Sequence, residues 1–420
     1  MAEDVGYVTP EQLCVGLYIH LDMSWMAHPF MLNSFKISDQ EQIDTLRGLG
    51  LERIRYEARR SDAEPTPLKP QAQAAPEPPH QLDPAQLAAI AAKKARLEHM
   101  AKHRQAITDC EKKLFSAGRA FKHISRNVFA KPLDSAADAT KLSQLMVDSI
   151  LTDKDIAIHL MSDKLGSEEV YFHGLNVAIL ALILGKELGL AREMLVHLGV
   201  GAMLHDIGKL EIPEKILYKT DPLTKPERDF LQQHVPYGLA IGKQCELPPE
   251  VMTILYQHHE YMDGSGYPRG LQGDAIAQIS KIVSLVNDYD NLCNRINPNE
   301  SYTPYEALAL MFGKQRARYE PAALNVFIRC LGIYPPGTLV LLSNEVVGIV
   351  IAVNASKPLR PSVLIYDSAV PKGEAVILDL QDEPDCTIVK GLKPAQVPQA
   401  LLDYLNVRKR MTYFADAIQS

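Results

Sequence analysis

The chain has 420 residues, of which 46% are hydrophobic and 23% are charged, so it can form roughly two or three compact units with cores of their own. Its formal charge of -7 and its pI near 6.0 argue against a broad basic face for duplex nucleic acid, although a local phosphate pocket is compatible with them. The longest apolar run, Leu175 to Leu184, covers about half of the roughly twenty residues that cross a bilayer, so we expect no membrane span.

The first 62 residues predict a small mixed α/β accessory domain. Leu17 to Leu21 has the composition of a strand, Asp39 to Leu49 has the period of a helix that Gly50 closes, and Leu51 to Tyr56 resembles another strand. No catalytic pattern is visible in this stretch. We therefore expect it to serve as a contact for a signalling protein partner.

Residues 63–85 are rich in Pro, Ala and Gln and poor in large apolar side chains, a composition that predicts a linker. Residues 86–138 combine strong helix formers with apolar positions on a helical period, which indicates a long amphipathic helical segment. Its basic residues are mixed with acidic ones, which is typical of a solvated face. The apolar positions suggest a homodimer contact.

The six cysteines are scattered without a Cys-x-x-Cys pair, and the chain begins without a signal-peptide pattern. We interpret them as reduced thiols in a cytoplasmic protein.

Helical periodicity dominates residues 139–333, where nearly all the chemically suggestive residues fall, so we expect an all-helical functional domain. Short β-branched runs separated by Asn, Pro and Gly follow in residues 334–420, and they predict a small β appendage with a last helix near Pro398 to Asn406. The expected fold class is therefore mainly α, with a small N-terminal α/β domain and a short C-terminal β appendage.

Imidazoles and carboxylates in the helical region have the types and spacing of metal ligands. His205-Asp206 follows an apolar run, and a buried pair of this kind needs polar partners that a metal ion would supply. Glu169 and His173 are four residues apart, on one helical face, although the same spacing also suits a solvent-exposed pair. The set of candidate ligands is Glu169, His173, His205, Asp206, His234, His258 and His259.

His234 stands alone near a turn, where a histidine is commonly structural, whereas His258-His259 leads into a glycine-containing turn. That turn, Asp263 to Gly266, suits positive φ at glycine and could bring backbone N–H groups against a phosphate.

The block His205-Asp206-Ile207-Gly208-Lys209, together with His258-His259-Glu260-x-x-Asp263-Gly264-Ser265-Gly266-Tyr267-Pro268, resembles the HD-GYP family of HD-superfamily phosphohydrolases, which hydrolyse cyclic di-GMP. The resemblance covers roughly residues 140–333. The first domain is also similar to a small domain of unknown function found ahead of some HD-GYP domains.

The resemblance implies an all-helical domain that holds two or three divalent ions, iron or manganese, with all seven candidate residues as ligands. It also implies that a metal-activated hydroxide attacks phosphorus in line, with Asp206 and Lys209 as catalytic residues. Lys209 would also contact the phosphate, and Gly266, Tyr267 and Pro268 would shape the substrate pocket.

Two positions depart from the family pattern. A gapless count places Asn287 where an Asp ligand is expected and Asp290 at the second Asp of the same motif, with Asp288 as an adjacent substitute. The Arg-Pro-Tyr segment expected near the substrate is absent, and Arg295 lies one position early. A neutral amide at position 287 should bind a divalent ion more weakly than a carboxylate.

Three functions are compatible with these residues. The first is an active cyclic di-GMP phosphodiesterase that releases the linear dinucleotide or GMP. The second is a weakly active or inactive domain that senses a cyclic dinucleotide or binds a protein partner, and Asn287 and the displaced Arg295 favour it. The third is an HD phosphohydrolase for another nucleotide, since no base-reading residue is identifiable.

Overall fold

The computed structural model describes residues 5–23, 28–30, 33–67, 105, 109, 112–152, 156–160, 169–297, 300–354, 357–367, 370, 372, 375–407 and 411–417. The chain divides into two compact units. The first comprises residues 1–105, 342–346 and 365–377, and the second comprises residues 106–341, 347–364 and 378–420.

The first unit contains a four-stranded antiparallel sheet in the order β1-β4-β2-β3 and one helix. Its elements are β1 (Val5–Val8), β2 (Tyr18–His20), β3 (Ser34–Lys36), α1 (Gln40–Gly48) and β4 (Ile54–Glu57). The Asp39 carboxylate accepts a hydrogen bond from the Gln42 N–H and so caps α1. Ile43 and Leu46 of this helix join a buried apolar core with strand residues such as Ile19. The strands and helix predicted for the N-terminal stretch are thereby confirmed, with small differences at their ends.

The second unit is mainly helical. Its helices are α2 (112–127), α3 (Pro132–Thr152), α4 (Glu169–Glu187), α5 (Arg192–Leu204), α6 (Glu214–Leu217), α7 (Lys225–Leu231), α8 (His234–Gln244), α9 (Pro249–Gln257), α10 (Gln278–Cys293), α11 (Pro304–Phe312), α12 (Pro321–Leu331) and α13 (Gln399–Tyr404). The mainly α fold class is confirmed. Residues 68–104 of the predicted linker and helical segment lie outside the described part of the chain.

Helix α4 forms the centre of the second unit. Its residues Leu175 to Leu184 are buried on every side, because α3, α5, α10 and α12 pack around it. Apart from Asn176, this run is apolar on every side of the helix, and such a helix is stable only in buried surroundings. Among the described residues, no helix combines the length and the hydropathy needed to cross a membrane.

A second sheet has the order β10-β6-β7-β5-β11, and β8 pairs with both β7 and β9. Its strands are β5 (Ile156–Leu160), β6 (Leu339–Leu342), β7 (Val347–Asn354), β8 (Ser362–Ile365), β9 (Ile377–Asp379), β10 (Ile388–Leu392) and β11 (Tyr413–Ala417). The predicted C-terminal strands and the last helix, α13, are confirmed.

Strand β5 differs from the expectation that residues 139–333 are wholly helical. Ile156-Ala157-Ile158 alternates apolar and small residues, and the strand is completed by antiparallel pairing with β7 and β11. Its partners lie in the last third of the chain, so the β appendage begins inside the region predicted to be helical.

Candidate metal centre

The candidate ligands are brought together by helix ends. His205 is the C-cap of α5, Asp206 precedes the 3₁₀ turn Ile207–Glu211, His234 is the first residue of α8, and His258 is the C-cap of α9. His173 approaches from the central helix α4. The ends of α5 and α9 and the start of α8 thus meet one face of α4 at the candidate site.

Each of four histidines is oriented by a hydrogen bond at Nδ1. The partners are backbone carbonyl oxygens for three of them: Ala202 for His205 at 2.7 Å, Leu231 for His234 at 2.8 Å, and Leu255 for His258 at 3.1 Å. His173 Nδ1 instead meets the Asp290 carboxylate at 2.7 Å. Because these acceptors have no proton to give, Nδ1 carries the hydrogen in each ring, and Nε2 presents a lone pair wherever the ring is neutral.

The Nε2 atoms face one another. They are 3.3 Å apart in the pair His173 and His205, and 3.2 Å apart in the pair His234 and His258. The lone pairs of His234 and His258 repel at that distance unless a cation lies beside them, whereas a protonated His173 can donate from Nε2 to His205 until an ion replaces that proton. The ligand atoms form two groups, each within 4.8 Å: His173, His205 and Asp206, and Asp206, His234, His258 and His259.

Asp206 belongs to both groups and divides its two oxygens between them. Oδ2 lies 3.4 Å from His173 Nε2 and 3.3 Å from His205 Nε2, whereas Oδ1 lies 3.5 Å from His234 Nε2. Oδ1 is buried without a hydrogen-bond partner. Such an orphaned anionic oxygen is costly unless it coordinates an ion. Lys209 Nζ donates to Oδ2 at 2.5 Å, so it neutralises part of this charge.

The histidines of the two groups differ in protonation: His234, His258 and His259 are neutral and ready to bind an ion, whereas an ion at His173 has to displace a proton. Burial lowers the pKa of His234 and holds the pKa of His258 and His259 well below their usual range, so these rings are neutral. Burial opposes ionisation of Asp206, but Lys209 and the neighbouring imidazoles hold the pKa of its carboxyl well below the usual range. For His173, hydrogen bonds to Asp206 and Asp290 outweigh burial and raise the pKa to about 9.

Gly208 explains how Asp206 reaches α8. A Cβ atom at this position would overlap the backbone of His234 and Gly238, so only glycine lets the 3₁₀ turn pack directly on that helix. The contact brings Asp206 beside the first residue of α8. The Gly of the motif is therefore a packing requirement of the centre.

The loop after His259 is fixed by hydrogen bonds to a buried carboxylate. Glu260 is buried, and its carboxylate accepts hydrogen bonds from the backbone N–H groups of Arg269 at 2.7 Å and Leu271 at 2.8 Å. Gly266 lies so close to the His259 and Glu260 backbone that a side chain would not fit. The Tyr267 ring stacks on the His259 imidazole with a centroid distance of 4.5 Å. Burial raises the pKa of Tyr267, so its hydroxyl remains a donor beside the centre.

Helix α10 contributes three polar residues with different partners. Asn287 is buried; its Oδ1 accepts from Asn291 at 2.8 Å, and its Nδ2 has no hydrogen-bond partner. Asp288 accepts from the Tyr261 hydroxyl at 2.9 Å and the Tyr319 hydroxyl at 2.8 Å. Because both Asp288 oxygens are engaged there, the suggestion that Asp288 replaces a ligand carboxylate does not fit the structure.

The remaining predicted site residues are Glu169 and Arg295. Glu169 is the first residue of α4, and its side chain lies outside the described part of the structure. The Arg295 guanidinium pairs with Glu300 at 3.9 Å and lies over the Tyr302 ring, and its backbone N–H donates to Ser301. These contacts of Arg295 involve no residue of the histidine groups.

Two positions at the centre carried no assigned role in the sequence interpretation. Asp290, which holds His173, appeared there only as a motif position, and Glu260 only as part of a block. The spacing of three residues between Asn287 and Asp290 places both on one helix face, which was the available signal for Asp290.

Comparison with known families divides the chain into three matched regions. Residues 8–139 match a domain of unknown function (DUF3391), residues 149–323 match the HD domain, and residues 339–400 match a KOW domain associated with HD domains. The histidine groups fall within the HD match.

Several curated proteins are similar to the chain. A cyclic di-GMP phosphodiesterase of Pseudomonas aeruginosa is 26% identical over 391 residues, which cover 92% of this chain and 91% of that protein. The cyclic di-GMP phosphodiesterase response regulator RpfG of Xanthomonas campestris pv. campestris is 32% identical over 149 residues, 35% of this chain and 39% of that protein. A 3'3'-cGAMP-specific phosphodiesterase of Vibrio cholerae is 36% identical over 149 residues, 36% of this chain and 34% of that protein.

Proposed function

The chain carries an HD domain of the HD-GYP type behind an N-terminal accessory domain, and on this premise we propose that it is a metal-dependent phosphodiesterase that hydrolyses cyclic di-GMP. The products would be the linear dinucleotide or GMP. The observation that carries the proposal is the pair of histidine groups joined by the two oxygens of Asp206. Relatives named for cyclic di-GMP hydrolysis supply the substrate class.

We propose two ions, iron or manganese, one in each histidine group, and a third if Glu169 contributes a ligand. Imidazole nitrogen and carboxylate oxygen are donors that both metals accept. The bound ions would supply charge neutralisation at phosphorus and lower the pKa of a water molecule. Asn287, one turn before Asp290, would contribute at most a neutral amide oxygen. A cytoplasmic location, a homodimer and a protein partner of the first unit stay predictions.

The side chains around the centre have separate tasks in this proposal. Lys209 places a cation beside Asp206, where it can meet a phosphate oxygen. The Tyr267 hydroxyl stays protonated next to His259 and can donate to the substrate. Glu260 fixes the loop that carries Gly266 and Pro268, so the pocket wall is formed before the substrate arrives.

A second function is favoured by one specific observation. Asn287 has a neutral amide where the family pattern has a carboxylate, and its Nδ2 is buried without an acceptor. If that change abolishes turnover, the domain would bind a cyclic dinucleotide and act as a sensor or a partner-binding module.

The similarity to a 3'3'-cGAMP-specific enzyme also makes that dinucleotide a substrate to test.

Asn287→Asp is the variant that separates these functions. The protein is purified without oxygen, its bound metal is counted, and cyclic di-GMP and 3'3'-cGAMP are followed over time for wild type and variant. We expect metal and slow turnover in the wild type, and an increase of both in the variant, because a carboxylate binds a divalent ion more strongly than an amide does.

Asn344→Asp is the matched control, since it makes the same chemical change in the exposed turn between β6 and β7, where its Oδ1 accepts from the Val346 N–H as an aspartate oxygen also would. It should change neither metal content nor turnover. A wild type with no metal and no turnover would refute the enzyme proposal. Cyclic di-GMP binding without hydrolysis would instead support the sensor.

A further inference from the structure

The C-terminal segment Met411–Tyr413 reaches the metal centre through two asparagine side chains. The Met411 carbonyl accepts hydrogen bonds from Asn176 Nδ2 at 2.9 Å and from Asn294 Nδ2 at 2.8 Å. The Met411 N–H donates to Asn294 Oδ1 at 2.6 Å, and the Tyr413 N–H donates to Asn176 Oδ1 at 3.1 Å. Each amide is thus fixed from both of its ends by the backbone of this segment.

The same two amides hold Asp290. Asn176 Nδ2 lies 2.9 Å and Asn294 Nδ2 lies 3.0 Å from Asp290 Oδ1. Asp290 is fully buried, and its other oxygen accepts from His173 Nδ1. A continuous chain of hydrogen bonds therefore runs from the Met411 carbonyl through two amides and one carboxylate to a candidate metal ligand.

We infer that residues 411–413 form a positioning element for the metal centre, acting on His173 through Asn176, Asn294 and Asp290. The amides fix the direction of the Asp290 carboxylate, and that carboxylate fixes both the tautomer and the ring orientation of His173. His173 Nε2 then points at the group that contains His205 and Asp206. The inference rests on the proposed metal centre and is independent of the substrate.

The group of His234, His258 and His259 does not depend on the link through Asn176 and Asn294. His258 is oriented by carbonyl oxygens of its own helix α9, and His234 by the carbonyl of Leu231 at the end of α7, all within four residues. Loss of the amide link should therefore weaken ion binding at the His173 group and leave the His234, His258 and His259 group unchanged. This asymmetry separates positioning from a general loss of folding.

Asn294→Ala and Asn176→Ala test the link. Metal-free protein, full length, is titrated with Mn²⁺ without oxygen, and free Mn²⁺ is measured by electron paramagnetic resonance. His173→Ala and His259→Ala identify which binding class belongs to which group. We expect both asparagine variants to weaken the class that His173→Ala abolishes by about tenfold or more, the range typical for second-layer partners of metal ligands.

Tyr413→Phe is the control for docking of the segment. It removes the hydrogen bond between the Tyr413 and Tyr289 hydroxyls, 3.1 Å long, but keeps the backbone contact to Asn176. It should lower the melting temperature and leave both Mn²⁺ affinities unchanged. Circular dichroism checks the fold of every variant.

The inference is overturned if the two asparagine variants bind Mn²⁺ like the wild type, or if Tyr413→Phe weakens binding as much as they do. A wild type that binds no Mn²⁺ and no iron overturns it together with the proposed metal centre. That outcome is distinguishable, because no variant would then differ from the wild type.

Discussion

Asp206 is shared by both histidine groups, so its loss should affect ion binding more than the loss of any single imidazole. Each of its oxygens faces a different set of Nε2 atoms, and one oxygen is buried without a hydrogen-bond partner. A neutral replacement of the same size would leave the imidazoles in place. It would remove the negative charge that offsets the repulsion between two neighbouring metal ions.

Asp206→Asn should therefore weaken binding of both ions, while His173→Ala should affect one class. Removing the charge of one partner in a buried ionic contact costs about 3 kcal/mol or more, which is roughly a hundredfold in affinity. Metal counting after gel filtration gives the measurement. Asp263→Asn, the same change in an exposed turn, should bind metal normally; two intact Mn²⁺ classes in Asp206→Asn would refute the bridging role.

Adjacent motif residues were the part of the site that could be predicted from sequence. His205-Asp206 and His258-His259 each place two possible ligands at adjacent positions, so their chemistry is visible without a fold. The link from Met411 to Asp290 was not predictable, because Asn176 lies 114 residues from Asp290 and Asn294 lies 117 residues from Met411. Only the return of the chain beside α4 and α10 brings them together.

At the scale of elements, helix α10 is tied to two loops by Asp288. Its carboxylate accepts from Tyr261, in the loop after α9, and from Tyr319, just before α12. Burial is the largest influence on this carboxyl and raises its pKa to about 6, although the two tyrosine hydroxyls oppose the shift. The folded protein therefore favours the protonated form of Asp288 relative to the unfolded chain.

The sign of the resulting pH dependence follows from linkage. A carboxyl whose pKa is raised on folding contributes stability that is complete below its ordinary pKa of 3.8 and is lost as the pH rises through about 6. Between these limits the free energy of unfolding should fall by up to about 3 kcal/mol because of this group. Asp288→Asn should remove that part of the slope.

Urea unfolding of metal-free wild type and Asp288→Asn between pH 4 and pH 7 gives the comparison. Asp263→Asn is a control of opposite sign, because the slight loss of hydration at this exposed carboxyl is outweighed by hydrogen bonds from Ser265, which lower the pKa of Asp263. Its contribution is lost as the pH falls. Parallel pH profiles for wild type and Asp288→Asn would contradict the assignment.

Elements were predicted well where their pattern is local and poorly where it depends on distant pairing. The largely apolar run of α4 and the β-branched runs of β7 and β8 were recognised from composition. Strand β5 was missed, since five residues of alternating character have no strand identity until β7 and β11 supply their hydrogen bonds.

At the scale of the whole molecule, the described metal-binding groups all lie in the second unit. The first unit has its own core around Ile19, Ile43 and Leu46, and no group of this kind appears among its described residues. An ion that binds only the native second unit stabilises that unit by mass action. The first unit gains nothing directly, so the effect of metal should be local.

Amide hydrogen exchange with and without Mn²⁺ tests this expectation. At a free concentration about 100 times the dissociation constant, one bound ion adds about 2.7 kcal/mol, so protection of amides in α5, α8 and α9 should rise about a hundredfold. Amides of the sheet β1-β4-β2-β3 should exchange at unchanged rates. Asp206→Asn, whose affinity should be about a hundredfold lower, should show a rise of about twofold at most in these helices. An equal rise in both units would mean that they unfold as one cooperative body, and the stabilisation by metal would then extend to the accessory domain.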